Sequence, residues 1–451
     1  MNNQPIAHIH VDNIQANLDL ACDKSPGSKT MAVIKANAYG HGLELVAPRL
    51  KGMDAFAVAR VAEGLALRTL GIDMPIYILQ GFLGESELVQ CADSQLIPMI
   101  HSTDQWQLLS ATDTKLKVWL KFDSGMHRLG LTEAELGMIL KSPGGLSVLG
   151  VASHFANADD PSHQENHDQL DVFRTTTDQL SCEKSMANSG AILGLSASHY
   201  DWVRPGIMLY GGSSSGCPDP RLKPGMTLTA PVLAVRSVAA GESIGYGSTW
   251  RANSAARIAV LGIGYADGYP RELSPETPVV IGGERCSIVG RVSMDMVMVE
   301  LPAKLEVRTG DRAEMWGNQL SIDEVAAHIG DPIGVDHRQG DMTPFADRGG
   351  PLKDQGGIPR PDRRQEEFLA QESVDRLNHQ GVCAAAQRIA EELDRPDMDP
   401  RGELGIAHMF QGDRKQLVKG GKLGRRKDIL VQAGEPRRHV FVDRRRFGLL
   451  F

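Results

Sequence analysis

No apolar run in this 451-residue chain approaches the roughly 18 residues that a membrane-spanning helix requires. The first residues, MNNQPIAHIHVDN, lack the basic stretch followed by an apolar one that marks a secretory signal. A cytoplasmic location is therefore expected. The six cysteines (Cys22, Cys91, Cys182, Cys217, Cys286 and Cys383) stand far apart, with no CxxC pair and no Cys/His cluster. That spacing offers neither a disulfide framework nor a zinc site. Positive charge is not in excess: the formal net charge is −8, which argues against an electrostatic grip on nucleic acid or on an anionic membrane. What remains, 41% hydrophobic and 23% charged residues, is the composition of an ordinary globular protein long enough for two or three domains.

From residue 8 to about residue 211, short apolar runs alternate with amphipathic stretches. Strands are expected at Ala32–Lys35, Ala55–Val58, Ile76–Leu79, Ile97–Ile100, Val118–Phe122, Val148–His154 and Gly206–Tyr210, with helices between several of them, such as Val61–Leu70, Thr103–Ala111, Glu133–Leu140 and His167–Leu180. Strand and helix alternating at this spacing imply parallel strands joined by crossover helices. The number of units suits a closed (β/α)8 TIM barrel better than an open sheet, although periodicity does not decide closure. From about residue 225 the texture becomes β-rich, with short apolar runs separated by Gly, Pro and Asp and no long helical pattern before Ile322–Ile329. A separate, mainly β domain is expected there. The division is thus a barrel over 1–224, a β domain over 225–330 and a tail over 331–451. The tail is more heavily charged than the rest and contains neither Trp nor Tyr. Its GGPLKDQGGIPRPDRRQEE stretch reads as linker or disorder, and only Ser373–Leu393 carries a helical pattern.

One segment carries chemistry. In MAVIKANAYGHG (Met31–Gly42) a β-rich run ends at Lys35, and small residues with two glycines then let the backbone turn closely around something. A lysine at the C-terminal mouth of a barrel strand can reach a cofactor aldehyde and form a Schiff base, although a lysine ending a strand is more often merely solvated. Seven further segments follow: LKFDSGMHRLG (Leu120–Gly130), SHFANAD (Ser153–Asp159), ANSGA (Ala187–Ala191), RPGIMLYG (Arg204–Gly211), GYGSTW (Gly245–Trp250), GYADGYPR (Gly264–Arg271) and GRVSMDM (Gly290–Met296). In kind and in order, the eight resemble the signatures of the alanine racemases, enzymes dependent on pyridoxal 5'-phosphate. The resemblance covers about residues 8–330.

The resemblance implies a coenzyme-bearing (β/α)8 barrel, a β domain and a homodimer, with alanine as substrate and D-alanine supplied for cell-wall synthesis. Inverting an α-carbon requires a proton to leave one face and another to arrive on the opposite face, so two acid/base groups are needed. By resemblance these are Lys35, which also carries the coenzyme and serves the D-specific face, and Tyr265, which serves the L-specific face. A free phenol titrates near pH 10 and needs positive charge or hydrogen-bonded partners to act near neutrality; the resemblance assigns that setting to His154 and Arg204. Arg204 is expected against the pyridine nitrogen, where a guanidinium has no proton to give the ring. The phosphate cradle is expected from Tyr39, Ser189 and the backbone of Gly206 and Ile207, with Asn188 positioning the loop, and it needs donors rather than a metal. Arg128 is expected to support the substrate carboxylate, and Lys121 matches a lysine that is carbamylated in some members. Met294 is expected to meet the carboxylate through its backbone, Asp295 to position the adjoining strand, and Tyr246 to line the entrance. The resemblance puts Tyr265 and Met294 at the coenzyme of the other subunit.

The chain departs from the pattern near Gly330. Family members finish with a segment that includes a tyrosine contacting the coenzyme phosphate, whereas no tyrosine follows Tyr269 here. Loss of one hydrogen bond to a charged group costs about 1.5–3 kcal/mol, which weakens coenzyme binding without abolishing it. A terminal β segment that closes the second domain is also expected to be missing. The abrupt change is what a frameshift or readthrough produces; an appended interaction domain is the alternative. Three other readings of the whole stay open: a racemase of another amino acid such as serine, a non-catalytic coenzyme-binding protein, and an inactive racemase remnant.

Overall fold

The computed structural model describes residues 4–112, 115–141, 147–274 and 276–329, together with the backbone of 429–433 and 439–442. The first strand, β1 (Ile6–Ile9), leads into a long helix, Val11–Lys24. Eight parallel strands then follow: β2 (Lys29–Val33), β3 (Ala55–Val58), β4 (Ile76–Ile78), β5 (Ile97–Ile100), β6 (Lys117–Lys121), β7 (Ser147–Ala152), β8 (Glu183–Ser185) and β9 (Trp202–Val203). Pairing of Lys29 with Trp202 and of Thr30 with Val203 joins the last strand to the first and closes the barrel.

The two-residue repeat of a strand sorts its side chains between two cores. Met31, Val33, Ala55, Ala57, Tyr77, Met99, Trp119, Ala152 and Trp202 fill the lumen. Their neighbours Ala32, Phe56, Val58, Ile78, Val118, Leu120 and Val203 face the surrounding helices. Tyr77, Trp119 and Trp202 meet edge to face with ring centroids 5.6–6.3 Å apart, so the barrel is a packed core rather than a pore.

The second domain is built on β10 (Met226–Val238). A small ribbon follows, β11 (Ser243–Ile244) with β12 (Trp250–Arg251), then β13 (Ala256–Leu261), β14 (Pro278–Ile281), β15 (Glu284–Ile288), β16 (Val297–Leu301) and β17 (Arg312–Trp316). The order β13-β16-β15-β14-β17-β10, with β10 also pairing β13, makes six antiparallel strands return on themselves. β10 manages both partners by a register shift between Val232 and Ala234, its first part lying against β17 and its second against β13.

β1 pairs antiparallel with β10, Ile6 opposite Thr229, so the N-terminal strand belongs to the sheet of the second domain although the barrel sequence follows it. β18 (Ile429–Ala433) runs parallel to β1 and β19 (His439–Val442) pairs with β18. A terminal β segment therefore does extend this sheet, contrary to expectation. The remainder of the tail, including the helical pattern at 373–393, lies outside the described residues.

Two other expectations are corrected. Gly206–Tyr210 is a 3-10 turn (Ile207–Tyr210), and the eighth barrel strand is Trp202–Val203. A four-residue apolar run has no resolvable period, so burial of Met208, Leu209 and Tyr210 reads equally well as a strand. The strand before Lys35 ends at Val33, and Lys35 opens a turn instead. Among the described residues no helix is long and apolar enough to cross a membrane.

Candidate active site

Four consecutive non-glycine residues after Lys35 have positive φ: Ala36 (53°), Asn37 (56°), Ala38 (55°) and Tyr39 (51°). This is one turn of left-handed helix, closed by Ala38 N–H to Ile34 O and Gly40 N–H to Ala36 O, each 3.0 Å. The conformation costs roughly 1–2 kcal/mol per residue in a chain of L-amino acids, so its surroundings must hold it. The Glu63 carboxylate accepts the Ala36 N–H through Oε1 (2.6 Å), and Asn37 Oδ1 accepts the Leu43 N–H (2.8 Å). The Tyr39 ring stacks on Tyr210 with centroids 4.7 Å apart, and Tyr210 is itself anchored by its hydroxyl to Val33 O (3.1 Å).

The turn borders a cavity of about 550 Å³ in the mouth of the barrel, where the C-terminal strand ends converge. Ten of the residues singled out in the sequence line it: Lys35, Tyr39, Lys121, Arg128, His154, Asn188, Ser189, Arg204, Gly206 and Ile207. Four are cations, and no carboxylate is among the lining residues. Confined like charges depress one another. The Lys121 ammonium is pushed down to about 8, first by burial and then by Arg204, Arg128 and Lys35. Lys35 is lowered by burial and by Arg128, against a raising influence of Glu63. Arg204 is buried and pushed down to about 10, which still leaves it charged at neutral pH.

Arg204 is held on several sides. One amino group donates to Ser185 Oγ; the other donates to Ser153 O and Met186 O and approaches His154 Nδ1 at 3.3 Å. A guanidinium only donates, so Nδ1 accepts and the ring proton of a neutral His154 sits on Nε2. Burial and the Arg204 charge hold His154 well below its usual range, which keeps it neutral.

Around residue 206 two hydroxyl donors converge. Ser189 Oγ accepts from Gly206 N (2.9 Å) and Met208 N (3.3 Å), leaving its own O–H to give. Burial raises the Tyr39 phenol to about 12, so it too keeps its proton. A Cβ on residue 206 would lie 2.8 Å from the Tyr39 hydroxyl, so only glycine admits that approach. Asn188 caps the helix Ser189–Gly194 by accepting the Ala191 N–H. Two hydroxyl donors and four cations, with no carboxylate in the lining, form a receptor for an anionic molecule, and a compound bearing a phosphate and a carbonyl for Lys35 fits that donor set.

The four remaining residues do not join this cavity. Tyr246 is 73% exposed, Met294 54% and Tyr265 37%, and Asp295 lies beside Met294 on the second domain. Tyr265 opens a 3-10 turn (Tyr265–Asp267) and Arg271 sits over its ring at 5.3 Å. Tyr265 N–H bonds to Ser293 O (3.1 Å) and Ala266 N–H to Met294 O (2.9 Å). A Cβ at Gly264 would come 2.3 Å from Met294 O, so the absence of a side chain there lets the two loops close on each other. Tyr265 and Met294 are thus tied together on an exposed face.

Several lining or supporting residues carried no signal in the sequence. Leu79, Gln80, Met99 and Ser214 line the cavity, but strand ends of this kind are indistinguishable from core or loop. Ser153 and Ser185 matter through an arginine far away in sequence. Glu63 alone had a local mark: it is the third residue of the helix Val61–Thr69, where a capping carboxylate is common.

His41 gives the site a pH signature. Its Nδ1 lies 2.9 Å from Tyr39 O and 3.1 Å from Ala38 O, bracing the left-handed turn, and burial pushes its pKa down to about 4. Between pH 6.5 and about 4 the unfolded chain binds a proton that the folded one refuses. Stability fully present above pH 6.5 is therefore lost as pH falls towards 4, by about 3 kcal/mol for this residue. Urea midpoints measured across that range should fall more steeply for the wild type than for His41→Gln; equal slopes would contradict the assignment.

Comparison with known proteins gives one consistent result. The family model described as alanine racemase, N-terminal domain, matches residues 9–214, and that described as alanine racemase, C-terminal domain, matches residues 225–332. The alanine racemase of Vibrio cholerae is 41% identical over 333 residues, spanning 72% of this chain and 92% of the relative. The biosynthetic alanine racemase of Pseudomonas aeruginosa is 42% identical over 334 residues, spanning 72% and 93%. The crystal structure of the latter enzyme superposes with a TM-score of 0.70 at 42% identity, covering 72% of this chain and 94% of that one. A crystal structure of alanine racemase from Bartonella henselae with covalently bound pyridoxal phosphate gives 0.68 at 34% identity, covering 72% and 94%.

Proposed function

The chain belongs to the alanine racemase family, and on that premise we propose that it interconverts L- and D-alanine with pyridoxal phosphate carried by Lys35. The observation that supports this most is the cavity itself, a half-buried amine among three further cations with the Tyr39 and Ser189 hydroxyls in the same lining. Tyr39, Ser189, Gly206 and Ile207 would receive the phosphate, with Asn188 fixing their loop. Arg204 would face the pyridine nitrogen, backed by His154, and Arg128 would take the substrate carboxylate, supported by Lys121. When bound, the coenzyme supplies an electron-withdrawing ring that makes the substrate Cα–H acidic. Lys35 is suited to move that proton on one face, because its lowered pKa leaves a larger share of free amine near neutrality. Arg204 stays charged and gives no proton to the ring, which limits charge withdrawal and disfavours transamination.

The opposite face needs a second group, and none of the described cavity-lining residues is Tyr265. We assign it to Tyr265 of a second copy, whose exposed loop also carries Met294 and Asp295, with Tyr246 nearby at the entrance. The working unit is then a homodimer acting in the cytoplasm and supplying D-alanine for the cell wall. Two measurements test the reading. Borohydride reduction of the coenzyme-loaded protein should fix the label on Lys35, and L-alanine in deuterated water should yield D-alanine with deuterium at Cα. Serine turning over faster than alanine would redirect the assignment to a serine racemase, and no exchange on either would leave a coenzyme-binding protein or a dead remnant.

A further inference from the structure

We propose that Glu63 is a positioning residue that fixes the Lys35 amine for its task by gripping the peptide bond on the C-terminal side of Lys35. This rests on the assignment of Lys35 as coenzyme carrier. One carboxylate oxygen accepts the Ala36 N–H at 2.6 Å; the other accepts Ala59 N–H at 2.9 Å and Arg60 N–H at 3.1 Å. Ala36 N is the nitrogen of the Lys35–Ala36 peptide, so the first bond sets the plane from which the Lys35 side chain departs. The same peptide begins the left-handed turn, where φ of Ala36 is 53° and the backbone has no intrinsic preference to stay. The other two bonds anchor the carboxylate to the end of β3 and the start of the helix Val61–Thr69. One side chain thus ties two adjacent strand ends of the barrel mouth at the point where the amine emerges.

Only a carboxylate serves all three donors. Glutamine turned to accept from Ala59 and Arg60 would present its NH2 to the Ala36 N–H, donor against donor. Glu63 also stands as the negative neighbour of Lys35, whose other charged neighbours Arg128 and Lys121 are cations, with Arg204, neutral His154 and Tyr39 further along the wall. Two effects of its removal therefore run in opposite directions. The amine becomes easier to deprotonate and more reactive to small reagents, while its hold on the coenzyme weakens because its origin is no longer fixed.

The test compares wild type, Glu63→Gln and Glu63→Asp as full-length protein. Coenzyme loss from the loaded enzyme is followed by absorbance during dilution. The pH midpoint of Lys35 acetylation is read by peptide mass spectrometry after the coenzyme is removed. Glu63→Gln should release coenzyme roughly tenfold faster or more, as loss of a hydrogen bond to an ionised group implies, with the midpoint moved to lower pH. Glu63→Asp keeps the charge but is one methylene short, so it should hold the midpoint and still release faster. A general loss of packing would not move the midpoint down while retention falls. If both variants match the wild type in both readouts, or if Glu63→Gln weakens retention with an unmoved midpoint, the proposal is overturned. Wild-type label found on a lysine other than Lys35 would instead remove the reading it rests on.

Discussion

Replacing Lys35 by alanine should lower racemisation by roughly 10³-fold or more, because on the proposed assignment one substitution would remove both the covalent attachment and one of two proton-transfer groups. The expected spectrum is equally distinct: the visible band of the lysine-bound coenzyme disappears, and borohydride no longer fixes label to the protein. The fold should survive. Lys35 is half-buried at the cavity edge rather than in either core, and its departure relieves charge on Lys121 and Arg128. Coenzyme should still enter the donor-lined cavity but leave on dialysis, so weak reversible binding with an unchanged circular dichroism spectrum is the full prediction. A variant that retains both band and turnover would show that another amine carries the chemistry, with Lys121 the first to examine.

The second large effect concerns two dead proteins that should become active when mixed. Tyr265→Phe removes the phenolic proton and should by itself lose most racemisation while keeping the coenzyme band. If each site draws its lysine from one copy and its tyrosine from the other, a dimer of one Lys35→Ala chain and one Tyr265→Phe chain contains one intact site and one doubly defective site. Random pairing makes half the dimers mixed, so co-expression should restore about a quarter of wild-type activity. Differently tagged chains that co-purify as mixed dimers yet remain inactive would refute the sharing. The geometry behind the expectation is plain: Lys35 lies in the cavity wall, whereas Tyr265 sits on an exposed loop of the second domain tied to Met294.

Much of this organisation could be read from the sequence, for reasons that differ by element. The strands Ala55–Val58 and Ile97–Ile100 stand where expected because each is a short, uniformly apolar run between clear breaks. β8 (Glu183–Ser185) left no trace, since three residues with two charges carry no hydrophobic pattern. The turn after Lys35 could not be foreseen in its handedness. Nothing in the string Lys-Ala-Asn-Ala-Tyr requires positive φ, and the conformation is held from outside the segment by Glu63 and by Tyr210 stacking on Tyr39, and from within by Asn37. The ten cavity residues were legible only as a set of ordered motifs; taken singly, Arg204 before a proline or Ser189 before a glycine says little. What the sequence could not reveal is who steadies them, because Ser153 and Ser185 act on Arg204 through contacts between segments distant along the chain.

The placement of β1 has a consequence for how the molecule is made. Ile6–Ile9 is made before the barrel, yet its antiparallel partner, Met226–Thr229, follows only after the whole barrel sequence has been synthesised. Until then the edge of those four residues that faces β10 is unpaired, so the nascent barrel carries a sticky end until the second domain is made. Severing the gene near residue 224 would yield an N-terminal product with that edge permanently open and a C-terminal product lacking one strand of its sheet. Neither half is an interchangeable module, and the two are expected to be inherited, exchanged and lost together.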